Sequence, residues 1–366
     1  MKRILYLSHT ATVAGGETSL LNLQRGLDRG RFTPVLHAPS EGPLTEQWRA
    51  QGGEVVVDGA GIGGFARTIR RRARDLRVDL IHANGYPRLK RAAIAGYATG
   101  LPVVCHCRNM LTADNRDYRW PRIWPFARRI DRYLAISGAV RDDIVTTMRV
   151  GAERIRVIHN PVDVARFQVE RGAFRRELRI EPNEFLIGQV GQIEPRKAPI
   201  DLVRAFAQLL PRHPRLRAVI VGEDVYGAWA EYREELIETI ERLGLGGRIV
   251  LAGQRHDIPQ VMRDLDLLVM PSLREPFGRV LIEAMAAGTP AIGSRVDGVP
   301  EILDDGETGL MTPPGDPDAL AAAIERLVVD GALRARIIDA AGRKARASFS
   351  LERHVAAVTA VYDELL

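Results

Sequence analysis

The chain has 366 residues, of which 46% are hydrophobic and 27% charged, the composition of a soluble globular protein of about two domains. Two cysteines, Cys105 and Cys107, are too few for a disulfide framework, so a reducing cytoplasm is the expected compartment. No apolar run approaches the roughly 20 residues of a bilayer-spanning helix. The net charge is +6, carried almost wholly by arginine, since the lysines are Lys2, Lys90, Lys197 and Lys344 alone. That excess fits an anionic partner and fits a genome's codon bias equally well.

Met1 to His9 opens with basic and then apolar residues. The apolar run is shorter than the about 7–15 residues of a signal-peptide core, and it predicts a first strand over Arg3–Ser8. Further strands are predicted over Glu54–Val57, Asp79–His82, Pro102–His106 and Arg132–Ile136. A second set covers Phe185–Val190, Arg217–Gly222, Arg248–Ala252, Asp266–Met270 and Pro290–Gly293. Helical periodicity lies between them, as at Thr18–Leu27, Ile200–Leu210, Tyr232–Leu243 and Pro317–Val329. Strands alternating with helices imply parallel sheets covered on both faces. The alternation occurs twice, so two doubly wound domains are expected, residues 1–165 and 180–350. The break falls in the punctuated stretch Asn160–Pro182. Ligands of such folds sit at the carboxyl ends of strands, so a cleft between the domains is the expected site.

Several features carry chemistry. Gly15-Gly16 follows the first strand and opens a helix, where free amides can cradle phosphate; an ordinary strand–helix turn uses glycine too. Arg67, Arg70, Arg71, Arg72, Arg74 and Arg77 crowd one helical pattern. Arg116, Arg119, Trp120, Arg122, Trp124, Phe126, Arg128 and Arg129 crowd a later stretch. Arginine mixed with tryptophan suits an anionic lipid surface or a phosphate-bearing acceptor, and also a solvated helix with a loop packed on the core. No nucleic-acid-binding module is visible. Asp264-Leu265-Asp266 and Asp316-Pro317-Asp318 spell Asp-x-Asp, the pattern by which some transferases hold a metal. Both fit local capping better, the first at the strand that follows and the second at a helix start.

The densest signal is Ser272-Leu273-Arg274-Glu275-Pro276-Phe277-Gly278-Arg279-Val280, which runs on to Glu283-Ala284-Met285-Ala286. A carboxylate precedes a Pro-Phe-Gly turn, a helix starts, and a second carboxylate follows inside it. Pro276 suits an early helical position, and Gly278 lets a ligand approach the backbone. Amides at a helix start attract phosphate and carboxylates accept from sugar or ribose hydroxyls, which together suggest a nucleotide-sugar site. A surface helix with two solvated acids is the simpler alternative.

Glu275-Pro276-Phe277-Gly278 with Glu283 resembles the E-x7-E motif of family 4 retaining glycosyltransferases, which have the GT-B fold of two Rossmann-like domains facing a central cleft. Asp266 to Ser272, Gly298-Val299-Pro300-Glu301-Ile302, Gly309-Leu310, Pro314 to Pro317 and Ile158 to Asp163 resemble the same family, so the likeness covers nearly the whole chain. It implies a metal-independent enzyme with no cofactor beyond its co-substrate. A hexosyl unit would move from a nucleoside diphosphate sugar to an acceptor hydroxyl of a sugar, glycolipid or phosphate-bearing molecule. The expected setting is polysaccharide, lipopolysaccharide or glycolipid synthesis at the inner face of the cytoplasmic membrane. By resemblance Glu275 contacts donor-sugar hydroxyls, and the backbone of Phe277, Gly278, Arg279 and Val280 holds sugar and phosphate. Glu283 then binds ribose, and Lys197 neutralises the departing diphosphate. His106 lines the donor-sugar pocket, Gly15 and Gly16 face the donor phosphate, and a helix over 351–366 completes the first domain. The chain departs from the family at Gln192, where arginine is common, and at Ala198, where glycine is common. Arg196 is the candidate for the missing charge. A nucleotide-sugar epimerase on the same fold and a non-catalytic sugar-nucleotide binding protein are the rival expectations.

Overall fold

The computed structural model describes residues 1–58, 71, 73–111, 120–224 and 227–366. Arg67, Arg70, Arg72, Arg116 and Arg119 lie outside them. The chain divides into two compact units, Met1–Pro161 with Leu351–Leu366, and Val162–Ser350.

The first unit is a parallel sheet ordered β3-β2-β1-β4-β5-β6-β7. Its strands are β1 (Lys2–Leu7), β2 (Phe32–Ala38), β3 (Glu54–Val57), β4 (Leu80–Asn84), β5 (Val103–Cys107), β6 (Arg132–Ala135) and β7 (Ile155–Val157). Ile4 to Leu7 are buried without alternation, as expected where helices cover both faces of a sheet. The helix Leu351–Leu365 supplies Val358, Val361 and Tyr362 to this unit's core. Tyr362 Oη lies 3.0 Å from Tyr6 Oη and 2.7 Å from His82 Nδ1. The helix also runs close to Gly15–Gly26, so close that a side chain on Gly26 would meet Val355.

The second unit is a parallel sheet ordered β10-β9-β8-β11-β12-β13. Its strands are β8 (Phe185–Val190), β9 (Leu216–Val221), β10 (Ile249–Gly253), β11 (Leu267–Met270), β12 (Ala291–Ser294) and β13 (Leu310–Thr312). The helix Pro199–Leu209 buries Ile200, Leu202, Val203, Phe206 and Leu209 on this sheet, each such side chain worth about 1.5–3 kcal/mol of transfer free energy. In both sheets the order in which strands are added reverses at one pair of neighbours, β1 with β4 and β8 with β11. Such switch points open a crevice at the carboxyl ends of the strands.

The structure adds β2, β7 and β13 to the predicted strands. It also moves Pro276, because the helix after the turn starts at Arg279 and its N-cap is Gly278. Pro276 lies in the bend before the helix rather than in its first turn.

Candidate functional site

Three neighbouring strands of the second unit deliver the polar groups of the site. Lys197 follows β8 at the end of a short 3-10 turn, Glu275 follows β11, and the bend around Asp297 follows β12. The Lys197 ammonium donates directly to Glu275 Oε2. Only 7% of Glu275 is exposed. Burial pushes its carboxyl up, but Lys197 beside it, helped by Arg196 and the Phe277 amide, outweighs burial and holds it below the usual range. The pair is therefore a buried carboxylate and ammonium.

The turn itself is laced on both sides. Glu275 N–H donates to Asp297 Oδ2 at 2.7 Å, and Gly298 N–H donates to Glu275 O at 3.1 Å. Arg274 Nε donates to Asp297 at 2.9 Å. Leu273 N–H donates to Arg196 O at 2.8 Å, joining the turn to the loop that carries Lys197. The next residues explain the glycine of the motif. Gly278 sits at φ +101, ψ 51, backbone that an L side chain rarely adopts. No side chain caps the helix Arg279–Ala287 that it opens, and the positive end of the helix dipole lies at this turn. Phe277 is buried against Phe349, with ring centroids 6.0 Å apart. It anchors the turn from beneath. Val280 is half-buried on the helix.

Glu283 lies on that helix, 8% exposed, and pairs with Arg279 Nε at 2.8 Å. Arg196 does not stand free as a diphosphate cation. Its guanidinium is held by Glu194 Oε1 at 2.5 Å and by Arg274 O at 3.2 Å. Gln192 is half-buried. Ala198 has φ 47, which explains why glycine is the more comfortable residue at that place.

In the first unit Gly15 and Gly16 open the helix Gly15–Gly26, again with no side-chain cap. His106 lies inside the first unit. It is fully buried, stacked on His354 with centroids 5.9 Å apart and 5.5 Å from His82. Burial, then Arg108 and the two neighbouring rings, push its pKa well down, so the ring is neutral and enclosed rather than lining a surface pocket. Arg108 stands just past the end of β5, where its side chain reaches the polar groups beside it. Arg108 Nε donates to Asn84 Oδ1 at 2.5 Å, Nη1 donates to Asn160 Oδ1 at 3.1 Å, and Nη2 lies 3.3 Å from His106 Nδ1. Its stem lies against Gly16. Sequence reasoning missed both Arg108 and Asp297. The signal for the second was its Asp-Gly dipeptide, a turn marker.

The Asp-x-Asp pairs serve local structure. Asp264 caps a helix elsewhere in the chain rather than its own strand, accepting from the amides of Gly172, Phe174 and Arg175. Asp266 takes Arg171, Arg175 and the Leu186 amide. Asp316 accepts from Ala319 N–H at the start of Pro317–Val329.

A switch point that offers a buried ammonium–carboxylate pair beside an uncapped helix start defines a nucleotide-phosphate-binding class of α/β protein. The profile described as "Glycosyl transferases group 1" matches residues 170–344, and that of "Glycosyltransferase Family 4" matches residues 13–166. The D-inositol 3-phosphate glycosyltransferase of Actinosynnema mirum is 30% identical over 303 residues, 78% of this chain and 72% of that protein. That of Salinispora tropica is 31% identical over 308 residues, 78% of this chain and 64% of that protein. Anabaena HepE, crystallised with UDP-glucose, is 26% identical over the full length of both chains at a TM-score of 0.89. The chain belongs to glycosyltransferase family 4, with the GT-B fold. Among the described residues no helix is long and apolar enough to cross a membrane.

Proposed function

We propose that the chain moves a hexosyl unit from a nucleoside diphosphate sugar to an acceptor hydroxyl, with retention at the anomeric carbon. The observation that carries this reading is the buried Lys197–Glu275 pair at the switch point of the second unit. The diphosphate binds at the start of the helix Arg279–Ala287 and shares the Lys197 ammonium, which has three N–H groups to divide between anions. Glu275 accepts from sugar hydroxyls and Glu283 from the ribose diol. The acceptor hydroxyl approaches the face that the diphosphate leaves. The carbon–oxygen bond to the diphosphate breaks, the bond to the acceptor oxygen forms, and the acceptor proton passes to a leaving phosphate oxygen. Positioning and charge stabilisation supply the rate. Lys197 and the helix dipole take the developing charge, so no divalent metal and no cofactor enters. His106 acts at one remove, by holding Arg108.

The UDP-glucose complex of the Anabaena relative makes a uridine diphosphate sugar the first donor to try. Relatives named for an inositol phosphate favour a phosphate-bearing acceptor, and a setting in cell-envelope polysaccharide, lipopolysaccharide or glycolipid synthesis. Thermal-shift titration with UDP-, GDP- and ADP-glucose, each with EDTA and with magnesium, tests the donor and the metal together. A ligand at 100 times its Kd adds about 2.7 kcal/mol. UDP release on adding acceptor mixtures then tests transfer. Donor conversion without acceptor would support the epimerase, and binding without any turnover would support the binding protein.

We also assign the reaction to the cytoplasmic side of an anionic membrane, met by one face of the first unit. Tyr97, Trp120 and Trp124 are exposed there. Arg129, Arg149 and Arg128 lie over those rings in turn, at 5.4, 4.2 and 4.7 Å from the centroids. Aromatic bodies with cationic tips suit the headgroup layer. Co-sedimentation with phosphatidylglycerol vesicles but not phosphatidylcholine vesicles is expected, and it should weaken in Trp124→Ser. Equal recovery with both lipids would sink the assignment.

A further inference from the structure

The bend after β12 contains a backbone choice that its own fold does not require. Asp297 has φ +41. Of the five described non-glycine residues at positive φ, Arg77, Arg149, Arg179 and Ala198 close helical turns, where the left-handed conformation is ordinary. Asp297 closes none. It is the second residue of the turn Val296–Val299, in which Val299 N–H donates to Val296 O at 2.9 Å. The third residue, Gly298, has φ −83, ψ −6. A positive φ at the first central position of such a turn is ordinarily taken by glycine. Here the glycine stands one place later. A Cβ on Gly298 would collide with Pro276 O, so close approach to the Glu275 turn requires glycine there. Asp297 thus holds an unfavourable conformation that glycine would relieve.

What the aspartate adds is its carboxylate. Oδ2 accepts from Glu275 N–H, and the same group holds Arg274 Nε. With Gly298 N–H donating to Glu275 O, both backbone polar groups of Glu275 are gripped by two adjacent residues. Their grip fixes the direction in which the Glu275 side chain leaves the turn, and so its meeting with Lys197. Strain held at such a place is characteristic of sites where geometry matters to chemistry.

We propose that Asp297 is a positioning residue for transfer, fixing the Glu275 backbone so that Glu275 and Lys197 face sugar and diphosphate together. This rests on the transfer reading above and adds a residue to it. The test compares Asp297→Gly with Asp297→Asn, using UDP release from UDP-glucose, or from whichever donor the thermal shift selects. Asp297→Gly relieves the turn and removes the acceptor. Its kcat should fall about 10²-fold, with UDP affinity changed less than about threefold. Asp297→Asn retains an oxygen for Glu275 N–H and should recover most of that loss. In a Glu275→Gln background Asp297→Gly should cost almost nothing more, because it acts through a side chain already removed. A merely structural turn residue predicts the reverse: glycine raises the melting temperature and leaves kcat within about twofold. That result overturns the proposal, as does full additivity in the double variant. Should Asp297→Gly fail to fold, Asp297→Ser carries the same comparison. A parent chain without turnover, or with turnover indifferent to Glu275→Gln, defeats the transfer reading and this inference with it. Sensitivity to Glu275→Gln but not to Asp297→Gly defeats this inference alone.

Discussion

Lys197 and Glu275 reach each other from the ends of adjacent strands, β8 and β11, and the ammonium decides the charge of the carboxylate. Without Lys197 burial, which favours the neutral acid, is opposed by the weaker pull of Arg196 and the Phe277 amide. The pair is therefore a charge-setting device at a buried position, and its removal changes more than one contact.

The first prediction concerns its two halves. Glu275→Gln keeps the shape of the turn but weakens the grip on sugar hydroxyls. Turnover should fall about 10²- to 10³-fold with nucleotide affinity nearly unchanged, read by steady-state kinetics and calorimetry with UDP. Equal losses in both quantities would show that Glu275 serves the nucleotide instead.

The loss of stability that Glu275 causes in acid should shrink in Lys197→Met. In the parent chain the Glu275 pKa is lowered on folding. Its contribution is therefore present above the ordinary carboxylate pKa and lost as pH falls through the lowered value. In the variant the strongest lowering influence is gone and burial still acts, so the folded pKa moves up from the parent's and this contribution shrinks. A tenfold change in the acidity of the carboxyl on folding is worth about 1.4 kcal/mol. Urea midpoints between pH 4 and 8 should slope less steeply in the variant than in the parent, and parallel slopes would contradict the account.

Ala198 follows Lys197 at φ 47. Ala198→Gly removes a steric cost of about 1–2 kcal/mol and adds chain entropy to the unfolded state of about 0.5–1 kcal/mol. A net gain of up to about 1 kcal/mol is expected, whereas β-branched Ala198→Val should destabilise by roughly 2 kcal/mol. Denaturant midpoints for the two variants would decide it, and a stable valine variant would refute the argument.

Gly298→Ala should be costly for a different reason, because its Cβ would meet backbone, colliding with Pro276 O and lying 3.0 Å from Phe277 Cα. Overpacking of this kind costs about 1–3 kcal/mol, and it pushes on the turn that carries Glu275, so turnover should fall with it. Gly246→Ala faces open space and should stay within about 0.5 kcal/mol of the parent.

Acid should loosen the first unit. Burial, first of all, lowers the pKa of His354 to about 4, and pushes those of His82 and His106 well below 6.5. A histidine depressed on folding takes up protons more readily when unfolded, so stability falls as pH drops from about 6.5 toward 4. His106→Phe removes one such ring and should flatten the decline between pH 7 and 5. An unchanged slope would mean that the cluster does not govern it.

The sheets were legible because their strands are buried on both faces and read as unbroken apolar runs. Phe32–Ala38 escaped because Thr33, Pro34 and His37 interrupt the run, although the strand lies between β1 and β3. The strands β7 and β13 have three residues each, too few to show a period. At the site, Glu275, Gly278 and Glu283 were legible from their spacing along one turn and one helix. Asp297 was not, because its partner lies on the turn of a neighbouring strand and nothing local marks that meeting. At His106 the letter carried no depth, since the strand that it sits on is buried throughout. Arg108 lies just past the strand and reaches Asn84 and Asn160, distant in the chain, so nothing local marked its partners.

The first unit is interrupted by the whole of the second, since Leu351–Leu366 rejoin it after Ser350. During synthesis the ribosome must pass the entire inserted unit before Val358, Val361 and Tyr362 can enter the core around Tyr6 and His82. The later half of the chain can thus finish folding before the earlier half. Until then the first sheet waits on the helix Gly15–Gly26 side with apolar surface uncovered, so newly made chains should lean on chaperones at their first half, not their second.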